Sequence, residues 1–325
     1  MSVASPVIDS GACHVVRPAV SFSVATPVRQ ALAQLKRCVG SVRGQSSVTL
    51  EHLVQDACSS DGTPAWLAQQ AAADPRLRPV SQRDQGMYDA INLAWSRAQG
   101  DFLSWLNADE QYLPGALARV QACFESDPEL DVVFGDYLVV DDAGRAVALR
   151  REIPLRRLYV VNSFLYAQSC TMFFRRRLWD QGRLRLDSRF RYAADMDLVL
   201  KLVTGGARFR HLPVVLSIFG IDGTNLSTHD GMRQETETLR LAHGAFGFKP
   251  LRQLPLAARR LERWLRGGYK ACDFDYRFAV DETPIYAHYC ARGVGGRYSL
   301  ADVCGQAERL DDPNRIQPET EHRPS

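Results

Sequence analysis

The chain has 325 residues, 46% of them hydrophobic and 24% charged, with a formal net charge of +3. That length holds one large α/β domain with an appendage, or two modest domains, of ordinary soluble globular composition. So small a charge gives no reason to expect a nucleic-acid partner, and eight cysteines without a Cys-x-x-Cys pair indicate neither a zinc site nor a disulfide framework and suit reduced, cytosolic thiols.

Residues 1–18 read as an irregular leader; they hold Asp9, His14 and Arg17 and no long apolar run, so no secretory signal is expected. Residues 19–24 alternate as a strand that stops at Thr26-Pro27. A helix over 29–42 carries Leu32, Leu35 and Val39 on one face. Residues 50–54 form the second strand, and a loop rich in turn formers leads to a helix over 65–73, with Pro64 in its first turn. A short strand is expected near 79–82. Asp84 then caps a helix with Met87, Ile91, Ala94, Trp95 and Ala98 at helical spacing.

Residues 100–114 are the centre of the pattern. An apolar strand over 102–106 runs into Asn107, Asp109 and Glu110, and Pro114 opens a helix carrying Leu117, Val120 and Phe124. Carboxylates at a strand end, with a helix leaving at once, mark where an open α/β sheet binds its ligand. A hard divalent cation already holding a diphosphate suits them.

Residues 131–136 give another strand, 137–140 and 147–149 a hairpin around 141–145, and 214–219 a last strand. Helices are expected over 194–202 and 234–245, with a polar loop at 222–228 between strand and helix. The longest uncharged apolar run, 212–221, is too short to span a bilayer and contains Pro213. Alternating strands and helices followed by a hairpin predict an α/β fold with a mostly parallel central sheet. The expected division is a catalytic domain over 19–245 and a partly helical C-terminal extension over 246–325 with a disordered tail.

Acidic residues recur in the loops: Asp56 and Asp61, Asp84, Asp109 with Glu110, and Asp195. Carboxylates gathered at one sheet edge repel unless a cation joins them. Each also has a plainer role. Asp56 and Asp61 can cap the helix at Ala65, Asp84 the helix at Met87, and Asp195 the helix at Met196; 107–110 can be a solvated turn.

Five segments taken together resemble the family-2 glycosyltransferases with a GT-A fold. They are Val54-Gln-Asp-Ala-Cys-Ser-Ser-Asp-Gly-Thr63, Arg83-Asp-Gln-Gly-Met-Tyr-Asp-Ala-Ile-Asn92 with Ala98-Gln-Gly-Asp101, Leu106-Asn-Ala-Asp-Glu110, Gln168-Ser-Cys-Thr-Met-Phe-Phe-Arg-Arg-Arg177 and Ala194-Asp-Met-Asp-Leu198. The resemblance covers about residues 19–230. It implies that Thr26 and Pro27 border a nucleotide base, Asp56 accepts its hydrogen bonds and Asp61 supports that loop. It places Asp84, Asn92, Asn107 and Gln168 on the nucleotide-sugar, with Gln168 and the arginines after it toward the acceptor. It makes Asp109 and Glu110 the ligands of Mg²⁺ or Mn²⁺, and Asp195 the general base of an inverting transfer. The sequence departs from the family pattern at Ala57, at Cys58 where glycine is usual, and at Asn107 and Glu110 of the acidic motif. Val28-Arg29-Gln30 replaces the asparagine of the first loop.

The function so implied is transfer of a sugar from a nucleoside-diphosphate sugar, UDP favoured, to a glycan or lipid-linked acceptor in the cytoplasm. The competing reading is a sugar-nucleotide-binding or scaffold protein with weakened catalysis. No Gly-x-Gly-x-x-Gly follows the first strand, so a dinucleotide oxidoreductase is not expected. Residues 150–191 hold eleven arginines against three acidic residues, either a site for a phosphate-bearing acceptor or a solvated basic face. In the helix over 255–266, Arg259, Arg260, Arg263 and Arg266 oppose Leu261, Trp264 and Leu265. It either packs on the catalytic domain or lies on the inner face of the cell membrane as a peripheral contact.

Overall fold

The computed structural model describes residues 21–141, 144, 146–221, 230–270, 272–280 and 283–291. Strand β1 (Phe22–Val28) is buried along its whole length, because helices cover both faces of the sheet. Phe22 and Val24 face one apolar layer and Ala25 the other. It does not stop at Thr26-Pro27: Pro27 pairs with Gln55 of β2 (Leu50–Asp56), and Val28 with Asp56. The ladder to β4 (Phe102–Trp105) has already ended at Ala25, so the missing Pro27 N–H has no partner to lose on that side.

β3 (Val80–Ser81) pairs parallel with β2. After β4 the chain forms a two-residue strand, β5 (Gln111–Tyr112), before the expected helix. That helix starts later than Pro114, at Ala116, with Gly115 as its left-handed N-cap (φ 73°). The long strand β6 (Val132–Asp141) merges the two pieces predicted around residue 136, with register shifts on either side of Asp136. β7 (Ala146–Arg150) returns antiparallel to it; most of the turn between them lies outside the described residues. β8 (Phe173–Arg175) and β9 (Phe209–Ile221) complete the sheet. The nine strands run in the order β3-β2-β1-β4-β8-β6-β9-β5, with β7 beside β6. β8 is antiparallel to both its neighbours, and the others along β3 to β9 share one direction.

Helices α1 (Leu32–Arg43), α2 (Thr63–Ala73), α3 (Met87–Trp95) and α4 (Ala116–Glu125) follow β1, β2, β3 and β5. Cys38 and Val42 of α1, with Leu117, Val120 and Phe124 of α4, pack on one face of the sheet. Ile91 and Trp95 of α3, with Leu198, Val199 and Leu202 of α7 (Ala194–Thr204), pack on the other. The result is the three-layer α/β arrangement the sequence predicts. Gly100 lets β1 and β4 start together: a Cβ there would lie 2.7 Å from the backbone of Phe22 and Ser23.

Two short helices, α5 (Arg157–Asn162) and α6 (Arg177–Asp180), lie in the arginine-rich stretch. α8 (Asp230–Ala242) follows β9, and residues 222–229, the expected polar loop, lie outside the described residues. Beyond it come a 3₁₀ turn (Lys249–Arg252), α9 (Gln253–Leu265) and a hairpin, β10 (Cys272–Val280) with β11 (Thr283–Ala291). The region expected to be partly helical therefore also contains strands. Tyr276 fixes the hairpin to the main sheet: its hydroxyl donates to Gly144 O (2.7 Å) and accepts the Ala146 N–H (3.0 Å). The leader lies outside the described residues, as do residues 292–325, which include the last dozen or so expected to be disordered.

α9 packs on α5, and it does so through its cationic side. Arg259 and Arg263 are buried, while Leu261, Trp264 and Leu265 face outward. Arg259 pairs with buried Glu152 (2.8 Å) and stacks over Phe164 and Tyr166.

Candidate active site

The C-terminal ends of β1, β2, β3 and β4 lie at one edge of the sheet, because those strands are parallel. β8 begins at that edge, so residues 168–171 arrive there too. Thus the loops holding Asp56, Asp84, Asn107, Asp109 and Gln168 converge. This is the ligand edge expected for an open α/β sheet.

Asp56 ends β2, fully buried. It accepts the Ser81 hydroxyl (2.5 Å) and the Ser59 N–H (3.1 Å). Ser59 Oγ in turn accepts the Gln30 N–H (2.8 Å), and the Gln30 side chain donates to Ser60 Oγ (2.9 Å). Gln30 (φ 52°) and Cys58 (φ 58°) both hold left-handed backbone that favours glycine. Such strain collects where a loop's shape serves a ligand. Asp61 pins the same loops, accepting from Leu32 N–H at the start of α1 (3.0 Å) and from Thr63 at the start of α2. Those bonds hold its carboxyl below the usual range.

Thr26 does not turn toward this edge. Its hydroxyl is buried against His52 Nε2 (2.8 Å) and Cys38 Sγ (3.6 Å), so only backbone can border a base there, and Pro27 is likewise buried. Asp84 is not the N-cap of α3; Gly86 is, and Asp84 accepts its N–H (3.0 Å). Burial raises the Asp84 carboxyl, and the charges of Asp89 and Asp56 add to it while Arg29 opposes them. Asn92 uses both ends of its amide on the Leu186 backbone (2.7 and 3.1 Å). It therefore positions a neighbouring segment, which its expected place on the nucleotide-sugar did not foresee.

Asn107, Ala108, Asp109 and Glu110 form a tight turn, with Glu110 N–H to Asn107 O (3.0 Å) and Asn107 N–H to Glu110 Oε2 (2.7 Å). Glu110 was expected as a cation ligand beside Asp109, and its position contradicts that. It is fully buried, pointing inward toward Cys170, and its Oε1 has no hydrogen-bond partner. Burial, with the Asp109 charge adding to it, pushes its carboxyl up to about 8. Asp109, half-buried, is the carboxylate of the turn that stays accessible. Among the described residues no three His, Cys, Asp or Glu side chains gather to hold a metal by themselves. A hard cation that keeps phosphate and water ligands needs only one or two protein oxygens. Asp109 fits that role, and the buried Asn107 Oδ1, which has no hydrogen-bond partner, is a second hard oxygen on the same turn. Gly220 of β9 seats the turn: a Cβ there would lie 2.9 Å from Asp109 O.

Asp195 lies in the first turn of α7 and accepts its neighbour's Met196 N–H (2.8 Å). Tyr88, buried in the first turn of α3, lies against that end of α7, next to the Ala194–Asp195 backbone and the Asp195 carboxylate. Glu235 of α8 braces the approach, accepting the N–H groups of Arg191, Tyr192 and Ala193 (2.8–2.9 Å). Burial raises the Asp195 carboxyl to about 6, with Glu235 adding repulsion. Tyr88, Ser81 and Glu235 carry no sequence signal of their own; only the packing reveals them.

Gln168 reaches the edge half-buried, but the arginines after it do not follow. β8 carries Arg175, Arg176 and Arg177 to the opposite edge, where they donate to the carbonyls of Leu130, Ala98 and Pro128, and Arg177 also pairs with Asp131. The expectation that they face an acceptor is overturned by the strand's direction. Of the wider arginine excess, Arg156, Arg157, Arg185, Arg189 and Arg191 stay exposed, as a solvated basic face requires, while making local contacts. Arg151, Arg157 and Arg183 hold backbone carbonyls, Arg156 and Arg189 hold carboxylates, and Arg185 stacks on Trp179.

A mostly parallel sheet with an acidic turn at its ligand edge, and a second acid on a flanking helix, defines a GT-A glycosyltransferase fold. Its solved neighbours agree. The chain aligns with the Staphylococcus aureus protein TarS, residues 1–349, in complex with UDP-GlcNAc, at TM-score 0.58 and 17% identity over 76% of this chain and 73% of that one. It aligns with the Pyrobaculum calidifontis mannosyltransferase PcManGT, in complex with GDP-Man and Mn²⁺, at TM-score 0.54 and 17% identity over 77% and 76%. The glycosyl transferase family 2 model matches residues 23–182. A PGL/p-HBAD biosynthesis glycosyltransferase of Mycobacterium bovis is 30% identical over 202 residues, 59% of this chain and 75% of the relative. The succinoglycan biosynthesis protein ExoO of Rhizobium meliloti is 28% identical over 205 residues, 59% of this chain and 57% of its own length. The chain belongs to glycosyl transferase family 2. It spans little more than half of ExoO and 29% of the Escherichia coli chondroitin synthase that it also resembles.

Proposed function

We propose that the chain is an inverting glycosyltransferase, moving a sugar from a nucleoside-diphosphate sugar to a hydroxyl of a glycan or glycolipid. The observation that carries this is Asp195. It accepts the Met196 N–H of its own helix, beside Tyr88 of the first turn of α3, and its carboxyl is raised to about 6. A carboxylate of that basicity accepts a proton near neutral pH better than an ordinary aspartate, and positioned general bases contribute about 10²–10⁴-fold. A protein that only bound sugar nucleotides would have no use for a desolvated base there.

In this reading the loops braced by Asp56, Asp61 and Gln30 form the cradle of the base and ribose, with UDP the favoured nucleotide. Asp84 and Gln168 line the sugar side. Asp109, with the Asn107 amide oxygen, would hold a Mg²⁺ or Mn²⁺ ion on the donor diphosphate. When bound, such an ion neutralises charge on the departing phosphate oxygen. Asp195 takes the proton from the acceptor hydroxyl as that oxygen attacks the anomeric carbon. Attack from the face opposite the leaving diphosphate inverts the centre in one step. The curated relatives named for succinoglycan and PGL/p-HBAD biosynthesis favour an acceptor in surface glycan or glycolipid assembly, reached from the cytoplasm.

A thermal-shift screen of nucleotide-sugars with and without Mn²⁺ tests the reading. Metal-dependent stabilisation by one nucleoside-diphosphate sugar, at saturation about 2.7 kcal/mol at a hundredfold excess over Kd, is expected. No stabilisation by any nucleotide or nucleotide-sugar would contradict it.

A further inference from the structure

We propose that α9 and the 3₁₀ turn before it form a docking face for an anionic lipid bilayer. The face is set by buried cations. Arg259 is locked to Glu152, Arg263 stacks on Tyr269 (4.8 Å), and Arg252 donates to Glu237 and to Phe246 O. With its polar side thus held against the protein, the helix turns Leu254, Leu261, Trp264 and Leu265 to solvent, and the turn adds Phe248 and Leu251. These six side chains are 45–69% exposed. Positions 254, 261 and 265 fall on one stripe of an α-helix. So large an apolar surface left open marks an interaction site.

The charge around it selects the occupant. Between Phe246 and Lys270 the chain carries seven cationic residues and one acidic residue, and with Arg252, Arg259 and Arg263 buried, four of the cations remain at the surface. That acid, Glu262, is neutralised by Arg156 (2.7 Å) and Arg266 (3.0 Å). Lys249, Arg260 and Lys270 stand exposed around the apolar side chains. Leucine and tryptophan at acyl-chain depth with lysine and arginine at headgroup level is the pattern of a helix lying in the membrane interface. Among the described residues no helix is long and apolar enough to cross a membrane, so contact here is with the surface. α9 packs on α5, and α5 on α7, which carries Asp195. A bilayer at α9 would therefore lie two helices from the base. The docking stands whether or not the chain transfers sugar.

The test uses the full chain, pelleted with vesicles of phosphatidylcholine alone and of phosphatidylcholine with 30% phosphatidylglycerol. Binding to the anionic vesicles, weakened by salt and nearly absent on the neutral ones, is expected. The Leu261→Glu/Trp264→Glu variant should lose at least tenfold in partitioning with its thermal midpoint unchanged. Arg260→Gln/Lys270→Gln should lose about fivefold for each cation removed. If glutamate lowers the midpoint, Leu254→Ser/Leu265→Ser makes the same comparison. The proposal is overturned if the chain does not pellet with anionic vesicles at low salt, or if the folded apolar variants pellet as well as the parent. A lipid-free dimer, abolished by those variants, would overturn it too by making the face a contact between copies.

Discussion

Asp109 and Glu110 are adjacent carboxylates, and the turn that holds them sends one to the ligand edge and the other into the core. Glu110 Oε2 closes that turn on the Asn107 N–H, so its role is internal. Glu110→Gln can keep that acceptor, and its metal-dependent donor binding should stay within about threefold of the parent. Asp109→Ala should lose the metal-dependent part altogether; calorimetry with and without Mn²⁺ distinguishes them. Asp195 makes a second prediction. As the base it must be ionised, so log kcat/KM should rise with unit slope below pH 6 and level off above it. Its raised carboxyl also works against the fold. The native state holds this proton more tightly than the unfolded chain, so the favourable contribution is present below pH 3.8 and is lost as pH rises through about 6. Asp195→Asn should therefore gain stability relative to the parent between pH 4 and pH 7, measured by urea unfolding. That the loops of Asp56, Asp84 and Asp109 meet at one edge was readable from their order along the chain. Glu110's burial was not, because a two-residue strand, β5, rotates the chain just after the acidic turn and no periodicity shows over two residues.

At the level of elements, direction and rotation were what the sequence hid. The apolar stripe of α9 was visible, and whether it packs inward or faces outward was left open. Cations took the inside because Glu152 waits there, fully buried on the loop after β7, and only arginine reaches it with rings to stack on. Arg259→Leu leaves that carboxylate with only the longer Arg150 contact (3.6 Å) and should cost about 3 kcal/mol by denaturant unfolding, whereas Glu152→Leu/Arg259→Leu should recover much of it. Likewise the sequence Phe174-Arg-Arg-Arg177 showed its charge but not that β8 runs against its neighbours and carries it away from the site. Gly100 stands where two backbones meet, so Gly100→Ala should destabilise by about 1–3 kcal/mol in the same assay.

Across the whole molecule, the three layers follow from strands buried on both faces, and the site follows from the parallel direction of β1 to β4. Each acidic loop had a plausible local role, and several are filled: Asp61 braces two helix starts, and Asp195 accepts an N–H of its own helix. Local and proposed catalytic roles coincide because helix N-termini line the edge where the strands end. Nucleoside diphosphate released by the Asp195→Asn chain, at donor concentrations that calorimetry shows to be saturating, tests this account most directly. The account predicts donor binding equal to the parent's and release slowed about 10²–10⁴-fold; release at the parent rate would contradict it.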